Sequence, residues 1–264
     1  MTRLAANLSM LFTEWDFLDR FKAASEAGFR AVELQFPYAY PAKDIADRLN
    51  ATQLELVLHN LPAGNWEAGE RGIACHPDRV DEFKAGVELA LRYAQTLNVR
   101  QLNCLAGILP KGVSKADAHD TLVQNLVFAA DKLRAAGIRL LIEPINTNDV
   151  PRFFLSTSRQ AIDIIKESGS DNLFLQYDLY HMQRMEGELI QTIKTHLALI
   201  KHIQLADNPG RHEPGTGEIN FRNVFMQLDA MGYEGWIGCE YKPRAGTLSG
   251  LVWRTEHGVH ECVA

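Results

Sequence analysis

Short apolar runs alternate along the whole chain with longer stretches in which apolar positions recur every three or four residues. The short runs read as strands: Ala5–Leu8, Ala31–Leu34, Leu54–Leu58, Gln101–Cys104, Leu140–Glu143, Leu173–Asp178, His202–Gln204 and Trp236–Glu240. The longer stretches carry the helical period. Ser114 with Asp117, and Thr157 with Gln160, have the spacing of a capping box at a helix start. Gly28, Gly137 and Gly232 stand where a helix should stop, just before the next strand. A strand followed by a helix, over and over, is the pattern of βα units around a parallel sheet. Eight units of about 33 residues fill the 264-residue chain, which predicts a single-domain (β/α)8 barrel of the TIM type over residues 1–264. An open doubly wound sheet reads identically strand by strand. Against it, no G-x-G-x-x-G turn follows the first strand, and the polar strand ends fall late in the chain.

No Pro-, Gly- or Ser-rich linker divides the sequence. One connection is unusually long, residues 59–76 between the third strand and the helix that starts near Pro77. Ordered loops beyond about 12–15 residues are uncommon and often serve binding. Trp66 and Arg71, flanked by Gly64, Gly69 and Gly72, mark this one as a lid. The last stretch, about 254–264, reads as a C-terminal tail.

Composition narrows the class of protein. With 46% hydrophobic and 23% charged residues the chain can bury a large core. The formal charge of −6 offers no global basic field for nucleic acid or an acidic membrane. No stretch approaches the ~18 apolar residues of a membrane span, and no signal-peptide run opens the sequence, so the expected location is cytoplasmic. Cys75, Cys104, Cys239 and Cys262 lie far apart with no C-x-x-C pair and read as free, buried thiols. Cys239 should face outward if its neighbour Glu240 faces into the barrel.

In barrels of this kind the chemistry sits at the carboxyl ends of the strands. Four successive late strands end in polar groups: Glu143 on the fifth, Asp178 on the sixth, Gln204 on the seventh and Glu240 on the eighth. Carboxylates following apolar runs are costly to bury unless paired or bound to a cation. Three of them with an amide between predict a site for a divalent metal, and hard oxygen donors suit Mg²⁺ or Mn²⁺. Such an ion keeps room for a chelating substrate, as a hydroxy-ketone would be. His181, three residues past Asp178, can donate to a substrate oxygen. A substrate carboxylate would need a cation, and Arg71, Lys242, Arg211 and Arg244 are the candidates, with Arg71 from the loop first and Lys242 second. His59 and Trp66, at the start of the long loop and within it, complete the expected substrate contacts.

Six stretches, AANLSMLF (Ala5–Phe12), HNLPAG (His59–Gly64), EPIN (Glu143–Asn146), QYDLYHMQR (Gln176–Arg184), HEPGTGEIN (His212–Asn220) and GWIGCEYKP (Gly235–Pro243), resemble the hydroxypyruvate isomerase family of xylose-isomerase-like TIM barrels. The resemblance spans nearly the whole chain, fading after about Trp253. It implies interconversion of hydroxypyruvate and 2-hydroxy-3-oxopropanoate. It also implies Glu143 and Glu240 as the proton donor and acceptor, and Glu143, Asp178, Gln204 and Glu240 as metal ligands. Related sugar epimerases place a His where Gln204 stands. The expected partner is a small hydroxy-keto acid, with neither nucleic acid nor membrane, and a homo-oligomer is left open. Alternatives are a 2-oxo-tetronate isomerase or a related ketose isomerase or epimerase. More distant are a metal-dependent phosphodiesterase or endonuclease-like barrel, which needs ligands on the early strands and a basic groove, and a non-catalytic binding barrel.

Overall fold

The computed structural model describes residues 2–258. In chain order its elements are β1 (Arg3–Asn7), α1 (Arg20–Glu26), β2 (Ala31–Leu34), α2 (Ala42–Thr52), β3 (Glu55–Asn60), α3 (Val80–Leu97), β4 (Gln101–Cys104), α4 (Lys115–Arg134), β5 (Arg139–Ile142), α5 (Ser158–Ser168), β6 (Leu173–Asp178), α6 (Leu179–Met185), α7 (Leu189–His196), β7 (Ile200–Leu205), α8 (Phe221–Ala230), β8 (Trp236–Cys239), α9 (Thr247–Gly250) and α10 (Trp253–Glu256). Every strand runs parallel to its neighbours, and β8 pairs with β1, so the sheet closes into an eight-stranded barrel. The open-sheet alternative is thereby excluded.

Two cores follow from the two faces of the strands. Outside the barrel, helices lay an apolar stripe on the sheet. On α3 it is Phe83, Val87, Ala90, Ala94 and Leu97, recurring at the helical period. Each large side chain buried there contributes roughly 1.5–3 kcal/mol. Inside, Ala5, Ala31, Val57, Leu58 and Leu141 form a small apolar plug. Strand side chains alternate, so residues two further on face the same interior, one layer closer to the carboxyl ends. On β1, β2 and β5 that step leads to Asn7, Glu33 and Glu143, all buried. The plug ends where the polar layer begins.

Element ends differ from the sequence reading by a residue or two. β5 stops at Ile142 and β8 at Cys239, so Glu143 and Glu240 stand just past their strands, Glu240 still bonded through its N–H to Leu205 O (3.1 Å). β3 runs on to Asn60, which takes His59 and Asn60 out of the long loop. Ser114 and Thr157 cap α4 and α5, accepting from Asp117 N (3.0 Å) and Gln160 N (3.2 Å). Gly28, Gly137 and Gly232 end their helices at positive φ. Cys75, Cys104 and Cys239 are free and buried, whereas Cys262 lies outside the described residues. Part of the expected tail is packed structure. Arg254 on α10 donates to Ala27 O (3.0 Å), and Trp253 is buried, with its indole N–H on Tyr241 Oη (3.1 Å). Residues 259–264 lie outside the described part. No helix among the described residues is long and apolar enough to cross a membrane.

Candidate active site

Glu143, Asp178 and Glu240 are all buried at the carboxyl mouth of the barrel. Asp178 ends β6 and caps α6: its Oδ1 accepts from Tyr180 N (2.7 Å) and His181 N (3.3 Å). Its Oδ2 has no hydrogen-bond partner among the described residues, although it is fully buried. Glu143 Oε2 accepts from Asn103 Nδ2 (2.8 Å). Glu240 is held at both oxygens, Oε1 by Gln35 Nε2 (2.8 Å) and Asn7 Nδ2 (3.2 Å), Oε2 by Arg211 Nη2 (2.7 Å).

Electrostatics couples the three acids. Burial pushes the Glu143 carboxyl well above the usual range, and repulsion from Glu240 and Asp178 adds to it. Burial also raises Asp178, against the pull of Arg211. Glu240 is pushed up to about 7 by burial, with Arg211 opposing. One guanidinium thus faces three carboxyls. Together with the orphaned Asp178 Oδ2, this charge deficit fits a hard divalent cation, which would let the acids ionise together. Glu143, Asp178 and His181 each offer an atom within 4.8 Å of the others, a group able to hold a metal ion.

His181 plays a different part from the acids, and Asn146 decides it. The Asn146 amide oxygen accepts from Asp149 N (2.8 Å), so its NH2 donates to Asp149 Oδ2 (3.1 Å) and to His181 Nδ1 (2.7 Å). With Nδ1 an acceptor, the imidazole proton sits on Nε2. That N–H faces Asp178 Oδ2 at 3.7 Å and Glu143 Oε1 at 4.0 Å. Burial, followed by Arg211 and Arg184, holds His181 well below its ordinary range, so the ring is neutral. His181 therefore meets the acidic cluster as a hydrogen-bond donor.

Arg211 comes from the loop after β7. Burial disfavours its charge, but Glu240, Asp178 and Glu143 together outweigh that and raise it. Its backbone sits in the left-handed region at φ 54°, an unusual conformation for a side chain of this size. Asp207 holds the loop that imposes it. The buried Asp207 carboxylate accepts from the backbone N–H groups of Asn208 (2.9 Å), Gly215 (2.9 Å), Gly217 (2.8 Å) and Ile219 (3.1 Å), while Arg211 N bonds to Asp207 O (2.9 Å). Asp207→Ala strands those four donors. It is expected to cost on the order of 3 kcal/mol in urea unfolding; a loss below about 1 kcal/mol would show the loop to be held otherwise.

The other candidates stand differently to this cluster, Gln204 beside it as the pairing partner of Asp178 and the rest apart. Gln204 is buried, but its Nε2 donates to Glu33 Oε1 (2.8 Å) and its Oε1 accepts from Gln176 Nε2 (2.6 Å), leaving one carbonyl lone pair for a ligand role. His59 is turned away. Asn60 reaches Asn103 (3.2 Å), and the alternation of β3 sends His59 to the opposite face, edge-on to Tyr38. Burial pushes the His59 ring down to about 4. Lys242 and Arg244 are exposed. Arg71 stacks over Trp66 (4.1 Å) and donates to the Trp66 and Glu70 carbonyls, so it is committed within the loop. Geometry thus puts Arg211 ahead of Arg71 and Lys242. The loop itself is a clasp more than a free flap. Ile73, Ala74 and Cys75 are buried, and Gly72 lies so close to Leu105–Gly107 that a Cβ would meet Leu105 O at 2.4 Å. Its exposed tip carries Trp66, whose ring packs on Phe36 (4.8 Å) next to Gln35.

Sequence reasoning passed over Glu33, His202, Asn7, Asn103, Gln35 and Asn146. The two-residue step from Ala31 to Glu33, parallel to Leu141 to Glu143, was the available signal for the first.

Comparison with known proteins agrees with this architecture. The chain is 53% identical over 253 residues to hydroxypyruvate isomerase of Escherichia coli, covering 96% of this chain and 98% of that protein. It is 46% identical to 2-oxo-tetronate isomerase of Cupriavidus necator, covering 96% and 97%. A crystal structure of a Brucella melitensis AP endonuclease of family 2 superposes with a TM-score of 0.94 at 43% identity, covering 97% of this chain and 99% of that one. A family profile described as xylose isomerase-like TIM barrel matches residues 21–257. The chain belongs to the xylose isomerase-like TIM-barrel family.

Proposed function

We propose that the protein is a hydroxypyruvate isomerase, interconverting hydroxypyruvate and 2-hydroxy-3-oxopropanoate by proton transfer at the Glu143–Glu240 site. The observation that carries the reading is the pair of buried glutamates, both raised above the usual carboxylate range, facing a neutral His181 N–H and a single guanidinium. The Escherichia coli relative of that name, similar over nearly the full length of both chains, supports the substrate.

The reaction moves a carbonyl by one carbon. A proton leaves the hydroxymethyl carbon, an enediolate forms, and a proton returns to the neighbouring carbon, while the hydroxyl proton passes from one oxygen to the other. Two carboxyl groups held above the usual carboxylate range can act in turn, one taking a proton from carbon and the other giving one back. His181 Nε2–H donates to a substrate oxygen as charge develops on it. Arg211 meets the substrate carboxylate, which the acids alone would repel. Glu143, Asp178 and Glu240, with the free lone pair of Gln204 Oε1, would hold a divalent cation, Mg²⁺ or Mn²⁺. When bound, such an ion supplies Lewis-acid stabilisation of the negative charge on the two adjacent oxygens.

The net charge of −6 argues against a nuclease role, which calls for a basic groove along a phosphate backbone. The Cupriavidus necator relative keeps one close competitor, the same chemistry on a 2-oxo-tetronate. Steady-state assays on both substrates, before and after exhaustive chelation, test the reading. Hydroxypyruvate should give the higher kcat/KM, chelation should abolish most turnover, and Mn²⁺ or Mg²⁺ should restore it. A preference for the 2-oxo-tetronate would transfer the assignment to the competitor, and full activity in verified metal-free protein would remove the cation from it.

A further inference from the structure

Below the three acids lies a further buried carboxylate. Glu33 is fully inaccessible in the centre of the barrel. Its Oε1 accepts from Asn7 Nδ2 (2.9 Å) and Gln204 Nε2 (2.8 Å), and its Oε2 lies 2.6 Å from His202 Nε2. Space for it is left by Gly238 on β8: a Cβ there would meet Glu33 Oε2 at 2.2 Å. β8 thus carries no side chain where the carboxylate lies. A charge in this position needs full compensation, and it has three donors.

These bonds have a direction. An ionised carboxylate only accepts, so every group facing it must present a proton. Gln101 Nε2 stands 3.4 Å from His202 Nδ1, leaving His202 Nε2 to carry its proton toward Glu33. Gln204 must turn its NH2 inward, which directs its carbonyl oxygen away from Glu33. Asn7 must do the same. Its oxygen is used by Ser9 N (3.0 Å), and its second amide proton reaches Glu240 Oε1 (3.2 Å). A single buried carboxyl group therefore bears on two amides, that of Gln204 and, together with Ser9 N, that of Asn7. The orientation of the first governs which atom of Gln204 can act as a ligand. The second holds one oxygen of Glu240.

We infer that Glu33 is a positioning residue: it fixes the amides of Gln204 and Asn7 so that the first presents oxygen to a bound cation and the second orients Glu240 for proton transfer. The inference rests on the reading of the site given above. Without Glu33, Gln204 is held only through Gln176 Nε2, an amide that can itself reverse, and a reversed Gln204 would offer an NH2 where a cation needs an oxygen. Asn7 keeps Ser9 N on its oxygen but loses one of the two acceptors that hold its NH2. Groups that orient metal ligands typically contribute about 10–100-fold to affinity or activity.

The test uses the full chain, stripped of metal and titrated with MnCl2 by calorimetry, alongside kcat, KM and thermal unfolding. Glu33→Gln keeps shape and removes the charge. It should bind Mn²⁺ about 10–100-fold more weakly and lose kcat by a similar factor, with a smaller change in KM. Asn7→Ser leaves Glu33 with His202 and Gln204, and removes the arm to Glu240 together with the acceptor of Ser9 N. It should lower kcat about tenfold in protein that circular dichroism shows to be folded. Folded Glu33→Gln protein with wild-type Mn²⁺ affinity and kcat would overturn the inference, as would wild-type kcat in Asn7→Ser. The two readings separate cleanly. A wild-type protein that binds Mn²⁺ but leaves hydroxypyruvate untouched contradicts the proposed reaction, whereas equal affinities in wild type and Glu33→Gln contradict only the role of Glu33.

Discussion

Glu240→Gln is expected to lower kcat for hydroxypyruvate by about 10²–10⁴-fold while the protein stays folded, and Glu143→Gln should do the same. The amide keeps the volume of the carboxyl and can still accept from Gln35 and Asn7 at residue 240, or from Asn103 at residue 143. What it loses is the ability to take a proton, together with a negative charge toward the proposed cation and, at residue 240, the acceptor of Arg211 Nη2. Because the two glutamates act in turn on one proton, the double variant should be little worse than either single one. KM should change far less than kcat, since neither carboxyl is needed to attract an acidic substrate. Steady-state kinetics with circular dichroism as the folding control decides the matter. Either variant retaining more than about a tenth of wild-type turnover would remove that residue from the proton transfer.

The second large effect is expected at Arg211. Arg211→Ala should lower kcat/KM for hydroxypyruvate by roughly tenfold to a few hundredfold, the range of a charge-assisted hydrogen bond of about 1.5–3 kcal/mol. Much of the loss should appear in KM. Dihydroxyacetone, which has the same hydroxy-ketone but no carboxylate, should be affected much less. The variant also carries a pH signature. Arg211 is the group that pulls the Glu240 carboxyl down against the burial that raises it to about 7. Removing the guanidinium lets Glu240 rise further, so the acidic limb of the rate profile should move to higher pH. Lys242→Ala and Arg244→Ala, at exposed positions, should leave both quantities near wild type. Equal losses on hydroxypyruvate and dihydroxyacetone would show that Arg211 does not meet the carboxylate.

Much of this was legible in the sequence. Eight strands alternating with helices predicted the closed barrel, because a parallel strand buried on both faces is an apolar run whose end is marked by the first polar residue. For the same reason Glu143, Asp178 and Glu240 stood out: each follows such a run. Glu33 did not, because it interrupts its strand instead of ending it. Ala31, Val32 and Leu34 around it make the segment read as uniformly apolar, and only the two-residue alternation with Ala31 turns Glu33 to the interior. His202 was likewise absorbed into the strand that Gln204 ends. The choice among cations was beyond local reading. Arg211 reaches the acids through a left-handed residue held by a carboxylate four positions earlier, which in turn binds backbone up to Ile219. Lys242 looked better placed by its distance from Glu240 along the chain, yet it points to solvent. His59 failed for the opposite reason: its neighbour Asn60 takes the inward face, and strand alternation allows only one of the two.

The central claim is that buried carboxyl groups of this chain move a proton between adjacent carbons of hydroxypyruvate. Incubating the Mn²⁺- or Mg²⁺-loaded protein with hydroxypyruvate in D₂O, and following the carbon-bound hydrogens by NMR, tests it most directly. The account predicts 2-hydroxy-3-oxopropanoate carrying deuterium on the carbon that received the proton, together with deuterium entering the hydroxymethyl group of recovered hydroxypyruvate. Glu143→Gln and Glu240→Gln should show neither at a comparable rate. Hydroxypyruvate recovered unchanged from the metal-loaded wild-type protein, with no aldehyde product and no exchange at its hydroxymethyl carbon, would contradict the account.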